Sequence, residues 1–122
     1  MKPRWAPDIQ AASSKEIFIK RELLEMIKSG RKTLELRVAF PNFQSICIGD
    51  QITFKSSNDE IKVRVTCIRN HKGLGDVMES EDVSKLAPGV PQNQIRHFIN
   101  RIFKEPDIEK YGLLVFEFEK IE

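Results

Sequence analysis

Two alternating runs joined by a four-residue polar connection constrain the fold of this chain more than any other feature. In Gln51-Ile52-Thr53-Phe54-Lys55, and again through Ile61, Val63, Val65 and Cys67, every second residue is apolar or a thiol, the period of a half-buried strand. Lys62, Arg64 and Thr66 occupy the opposite face of the second run. Ser56-Ser57-Asn58-Asp59 is too short to hold a crossover helix, so the two strands pair as an antiparallel hairpin. Any fold offered for the chain must be built around that hairpin.

Three further strands are predicted around it. Glu16 to Lys20 is short and β-branched, Thr33 to Val38 alternates, and Gly112 to Glu119 offers Leu114, Phe116 and Phe118 as a core face. In the second of these Leu34, Leu36 and Val38 face the core, so Thr33, Glu35 and Arg37 share the other side. Leu23, Leu24 and Ile27 form a stripe on a helix from about Lys20 to Ser29, which stops at Gly30. Between Ala39 and Ile46 a Pro-containing loop is expected, and after Gly73 and Gly75 a short helix capped by Asp76. Pro91 opens a longer helix whose stripe is Ile95, Phe98, Ile99, Ile102 and Phe103, with His97 on its polar side.

The resulting order predicts an α+β fold, a small, curved and mostly antiparallel sheet or closed barrel with helices packed outside it. A length of 122 residues with eight Phe and 40% hydrophobic residues suits a single core. Residues 1–15 read as an irregular leader with Trp5 as its anchor, and 16–122 as one domain. Cys47 and Cys67 are expected to be reduced, buried thiols, and with two His they are too few and scattered for a zinc site. No metal or cofactor is called for. No apolar run approaches the roughly 18 residues needed to cross a bilayer, and the first residues lack an apolar signal-peptide stretch. A soluble cytoplasmic protein without a membrane partner is expected, and its oligomeric state is not legible.

The net charge of +2 hides an uneven distribution. Residues 20–37 hold six basic residues against three Glu, and residues 60–73 hold Lys62, Arg64, Arg69 and Lys72 against Glu60. Residues 74–90 and 105–122 are predominantly acidic. If the two basic segments adjoin they form a patch suited to phosphates; otherwise they are ordinary solvated faces.

The stretch Gly30-Arg31-Lys32-Thr33-Leu34-Glu35-Leu36-Arg37 satisfies GxKxxExR at every fixed position. With Met26-Ile27-Lys28-Ser29 before it, then Val38-Ala39-Phe40-Pro41, Gly49 to Phe54 and Tyr111 to Phe116, it resembles the ASCH domain of the PUA-like superfamily. The small stand-alone archaeal and bacterial members are the most similar, over roughly residues 16 to 120. The resemblance implies a PUA-like β-barrel flanked by helices, with a cleft beside the motif strand and an RNA or nucleotide-like ligand. Gly30 then makes the helix-to-strand turn, and Lys32, Glu35 and Arg37 line the cleft.

The residues themselves agree on Glu35 and Arg37, which share the non-core face. A carboxylate accepts from a base amino group, while Lys and Arg neutralise phosphate or polarise a carbonyl. Thr33, Arg31, Arg64, Lys72, His71 and Tyr111 complete the expected ligand-binding set, His71 as a phosphate contact or acid and Tyr111, like Phe40, as a stacking surface. The bland alternative is a surface ion pair worth about 0–1 kcal/mol. On either reading Lys32 and Arg37 point away from the core, and truncating them should leave the fold intact.

Two functions follow. One is a module that binds RNA or a modified nucleotide. The other is a hydrolase of an acylated cytidine or of RNA, with Lys32 as base and Glu35 as acid, base or water-orienting group. ASCH-like amidohydrolases of N4-acetylcytidine carry a nucleophilic Thr where this chain has Glu35, and Thr33 lies two residues earlier. Glu79, Glu81 and Asp82 are the candidates for that subgroup's acidic proton donor.

Overall fold

The computed structural model describes residues 14–121. Of the expected leader, Trp5 and residues 1–13 lie outside the described residues, and Ser14 and Lys15 open the first strand. The elements in chain order are β1 (Ser14–Phe18), α1 (Arg21–Lys28), β2 (Leu34–Val38), α2 (Pro41–Gln44), β3 (Gln51–Ser56) and β4 (Asp59–His71). They continue with α3 (Leu74–Ser80), α4 (Val83–Leu86), a 3-10 turn (Gln92–Gln94), α5 (Ile95–Asn100), α6 (Glu105–Tyr111) and β5 (Leu113–Lys120).

The five strands form one curled sheet in the order β1-β3-β4-β5-β2. The hairpin is its centre, with Gln51 opposite Arg64 and Ser56 opposite Asp59. β5 pairs antiparallel with β4 on one side and β2 on the other. The exception is β1, which runs parallel to β3. The register along β4 shifts between Val65 and Cys67, leaving Thr66 as an extra residue. Among the described residues no pairing joins β1 to β2, so the sheet they form curls without closing.

Two apolar clusters cover the two faces. On one face Leu24 and Ile27 of α1 pack with Ile17, Ile52, Phe54, Val63, Val65 and Phe116. On the other, helices α3 to α6 pack against Leu34, Leu36 and Val38 of β2 and Leu113 and Val115 of β5. Strand β5 is therefore buried on both faces, a departure from the single core face expected of it. Neighbours on both sides and apolar clusters on both faces exclude water from Leu113 to Phe116, while Glu119 and Lys120 at its end are exposed.

The turn at Gly30 follows from the end of α1. Gly30 has φ of +84°, its N–H donates to Ile27 O, and the N–H groups of Arg31 and Lys32 both donate to Met26 O. This is a Schellman ending, and its left-handed position favours glycine. It reverses the chain within three residues and delivers Lys32 to the mouth of β2.

Several expectations are corrected. The loop after Ala39 contains the one-turn helix α2, started by Pro41. Asp76 lies within the first turn of α3, not before it, whereas Asp82 caps α4 by accepting from Ser84 N–H. The long helix expected after Pro91 ends at Asn100, and α6 follows with Pro106 in its first turn. α6 escaped notice because it buries one apolar side chain, Ile108, too few to show a period. Cys47 is exposed and Cys67 half-buried, both as free thiols, so neither is the buried thiol expected.

Candidate functional site

The gap left between the sheet's two edges is a cleft of about 400 Å³. One wall is the end of β1 and start of α1, with Phe18, Ile19, Lys20 and Leu23. Facing it are Leu86 of α4 and Phe98, Ile99, Ile102 and Phe103 of α5 and its C-terminal turn. Lys32 and three consecutive residues of β2, Glu35 to Arg37, supply the rest. The walls are thus mainly apolar; Lys32, Glu35 and Arg37 are gathered on and beside β2, and Lys20 stands on the opposite wall. Phe18 is 70% exposed and Ile102 53%, so both stand at the rim.

At the bottom Lys32 and Glu35 are only 2% and 5% exposed. The expectation that Lys32 is a removable surface side chain is therefore overturned. Its ammonium donates to Leu34 O at 2.6 Å and Leu86 O at 2.7 Å, and lies 3.0 Å from Glu35 Oε1. An ammonium has three protons, and all three have partners. One of them, Leu86 O, belongs to the last turn of α4, so Lys32 also satisfies a carbonyl that its helix leaves open.

Glu35 is held from its other oxygen by Arg37, whose Nε and Nη2 both approach Oε2 at 2.7 Å. Burial alone would raise the Glu35 pKa, but the charges of Lys32 and then Arg37, with their hydrogen bonds, hold it below the ordinary carboxylate value. Glu35 is therefore a carboxylate at neutral pH. The Arg37 side chain is 24% exposed, its guanidinium lies 5.6 Å from the centre of the Phe43 ring, and its Nη1 makes no hydrogen bond among the described residues. The site thus presents a carboxylate edge beside an unengaged donor.

The other expected ligand contacts are not gathered here. Thr33 lines a separate polar pocket of about 230 Å³ with Arg69, Glu81, Asp82, Lys85 and Glu117. Arg31 is exposed on the α1–β2 turn, and Lys72 is exposed beyond β4. Arg64 donates to Gly49 O. Tyr111 packs edge-on against Phe40, with ring centres 5.0 Å apart. His71 Nε2 lies 2.7 Å from Glu81 Oε2. Lys28 pairs with Asp59, just before the second basic segment, and within that segment Arg69 is engaged by acids of the acidic segments, Glu81 and Glu117.

Glu81 stands out among the proton-donor candidates. Its side chain is buried, and Arg69 binds it through both Nε and Nη2 at 2.7 and 2.8 Å. Those hydrogen bonds from Arg69 outweigh burial and, with His71, lower its pKa. Arg69 Nη1 goes to Glu117 at 2.8 Å and to Cys67 Sγ. Glu81 is not among the residues that line the cleft. Among the described residues no group of three or more His, Cys, Asp or Glu could hold a metal ion, and no helix is long and apolar enough to cross a membrane.

Phe18, Lys20, Leu86 and Ile102 were not anticipated as part of a site. Phe98, Phe103 and Ile99 were read only as a core stripe, although a stripe of five apolar residues exceeds what a six-residue helix buries in the core. That excess, and an aromatic at the end of an edge strand, were the available signals.

A curled, mostly antiparallel sheet with an outer helix layer and a GxKxxExR strand beside a cleft defines a PUA-like domain. The chain belongs to the ASCH domain family, whose model matches residues 17–122. It is similar to the crystal structure of hypothetical protein PH0355, at 28% identity and a TM-score of 0.80 over 88% of this chain and 99% of that one. The solution NMR structure of PF0455 from Pyrococcus furiosus is 30% identical, with a TM-score of 0.73 over 89% of this chain and 98% of that one. ZmASCH from Zymomonas mobilis shares the fold, at 16% identity and a TM-score of 0.53 over 88% of this chain and 71% of that one. No curated protein matches the chain.

Proposed function

We propose that the chain binds RNA or a modified nucleotide, taking a base into the cleft between β1 and β2. The observation that carries this reading is the Glu35–Arg37 pair, its carboxylate buried and its Nη1 unengaged among the described residues, beneath the apolar walls of a cleft of about 400 Å³. A planar heterocycle gains from burial against Phe18, Phe98 and Leu36. Its edge, if it offers a donor and an acceptor, meets the free lone pair of Glu35 and Nη1 of Arg37. ASCH membership supports an RNA-binding module of the PUA-like kind in general.

The hydrolase reading needs Lys32 as a base or Glu35 as an acid, base or water-orienting group. A neutral Lys32 would turn a lone pair towards one of three acceptors, which disfavours it as a base. A carboxylate with a lowered pKa is both unprotonated and a weak base at neutral pH. Binding therefore has the better support.

Calorimetric titration with the four ribonucleosides, N4-acetylcytidine and short single-stranded RNA tests the proposal, alongside turnover assays on the last two. Saturable binding that survives Glu35→Gln with a loss of about 1–2 kcal/mol is expected, since the amide oxygen still accepts. Turnover by the wild type that Glu35→Gln cuts by about 100-fold or more would overturn it in favour of a hydrolase.

A further inference from the structure

Helix α5 separates the cleft from a further pocket of about 220 Å³, and Phe98 lines both. This pocket is formed by Gly89, Val90 and Pro91 on one side and Gln94, His97 and Arg101 on the other. His97 and Arg101 are four residues apart, so they stack on one helix face about one turn from each other.

Like Lys62, Lys72 and Arg96, these two side chains have no carboxylate partner among the described residues, but they are the ones that line a pocket adjoining the cleft. Arg37, Arg69, Lys28 and Lys55 are each paired with a carboxylate. Arg101 N–H donates to His97 O within the helix end, but neither the His97 ring nor the Arg101 guanidinium makes a hydrogen bond or ion pair among the described residues. From Pro91 to Lys104 the chain carries Arg96, Arg101 and Lys104 and no acidic residue. An open pocket with unpaired donors, adjoining an apolar cleft across one aromatic ring, suits a chain that alternates flat apolar groups with anions.

We propose that the His97–Arg101 pocket is a second subsite, which holds the phosphodiester and flanking nucleotide of a single-stranded RNA whose neighbouring base occupies the cleft. The proposal rests on the cleft reading above. Arg101 contacts the phosphate, His97 donates beside it, and Phe98 parts the two nucleotides. Lys20 and Phe18, on the opposite rim, lie outside this path and serve the cleft alone.

The test compares free ribonucleosides, which reach only the cleft, with oligoadenylate, oligocytidylate and oligouridylate about five nucleotides long. Affinity is read against salt for the wild type, Arg101→Ala, His97→Ala and Arg96→Ala, after thermal melts confirm folding. Arg101→Ala should weaken the tightest oligonucleotide about five- to tenfold at low salt and reduce the log-log salt slope by about 0.7, the value of one single-strand phosphate contact. His97→Ala should weaken it less, and Arg96→Ala, on the same helix but outside the pocket, should leave the slope unchanged. Nucleoside affinity should be the same in all four proteins.

Equal oligonucleotide affinity and slope in the wild type and Arg101→Ala overturn the subsite while leaving the cleft standing. An equal loss in Arg96→Ala shows diffuse attraction and also overturns it. Wild-type protein that binds neither nucleosides nor oligonucleotides overturns the cleft reading and the subsite together.

Discussion

Glu35 and Glu81 are both buried carboxylates gripped by an arginine, and both have lowered pKa values, yet their arginines are engaged differently. Arg69 grips Glu81 through two nitrogens and turns the third to Glu117 and Cys67, while His71 takes the remaining approach. Arg37 places two nitrogens on a single oxygen of Glu35 and leaves Nη1 without a partner among the described residues. The first arrangement fastens β4 to the segment before α4. The second, built from the same residue types, retains hydrogen-bonding capacity where the sheet leaves space. Burial and a perturbed carboxylate are common to both; what differs is the unengaged donor that Arg37 keeps beside the cleft.

The largest effect should come from Lys32→Met, which preserves length but leaves Leu34 O and Leu86 O without their donor and Glu35 without one of its cations. A loss of about 3–5 kcal/mol in urea denaturation is expected, the cost of breaking a buried pair. A loss below about 1 kcal/mol would mean that the pocket floor relaxes easily. Glu81→Gln should cost about 1–3 kcal/mol, less because Arg69 is partly solvated, and nucleoside affinity should not change. A drop in affinity with Glu81→Gln would dissolve the distinction between staple and site.

Arg37→Met sharpens the same contrast from the other side. Stability should fall by about 1–2 kcal/mol, while nucleoside binding in calorimetry weakens by at least about tenfold. Acid titration then probes both carboxylates. Each has a folded-state pKa below the ordinary value of about 4.3, so its stabilisation is present above that pH and lost as pH falls through the lowered value. Unfolding free energies from urea titrations measured from pH 5 downward should decline by up to about 1.4 kcal/mol per pH unit for each group, and less steeply in Glu35→Gln and in Glu81→Gln. Arg31→Ala, in the motif but exposed, should change stability by less than about 0.5 kcal/mol, as thermal melts can check.

The hairpin, the strand parity of β2 and the turn at Gly30 were legible because each depends on residues close in sequence. The burial of Lys32 was not. Its lid is Leu86, on a helix that lies 54 positions further on, and nothing near a lysine announces such a partner. Nor does alternation within strands state which strands become the sheet's edges. Glu35 and Arg37 could be assigned to one face, but that face became a cleft only because β1 pairs with β3 and stops short of β2. The basic segments misled for a related reason: sequence places charges in proximity, and only tertiary structure shows that Arg69 is already engaged.

The open edge has a mechanical consequence. A strip bent round until its ends nearly meet behaves as a C-clamp, whose gape is governed at the spine and not at the jaws. Here the jaws are β1 and β2, and the spine is β4, where the extra residue Thr66 sharpens the local twist. With β3 attached to one side of β4 and β5 to the other, the twist at that bulge enters the relative orientation of the two jaws. Thr66 is not among the residues that line the cleft, yet it lies in the strand through which the two jaws are joined.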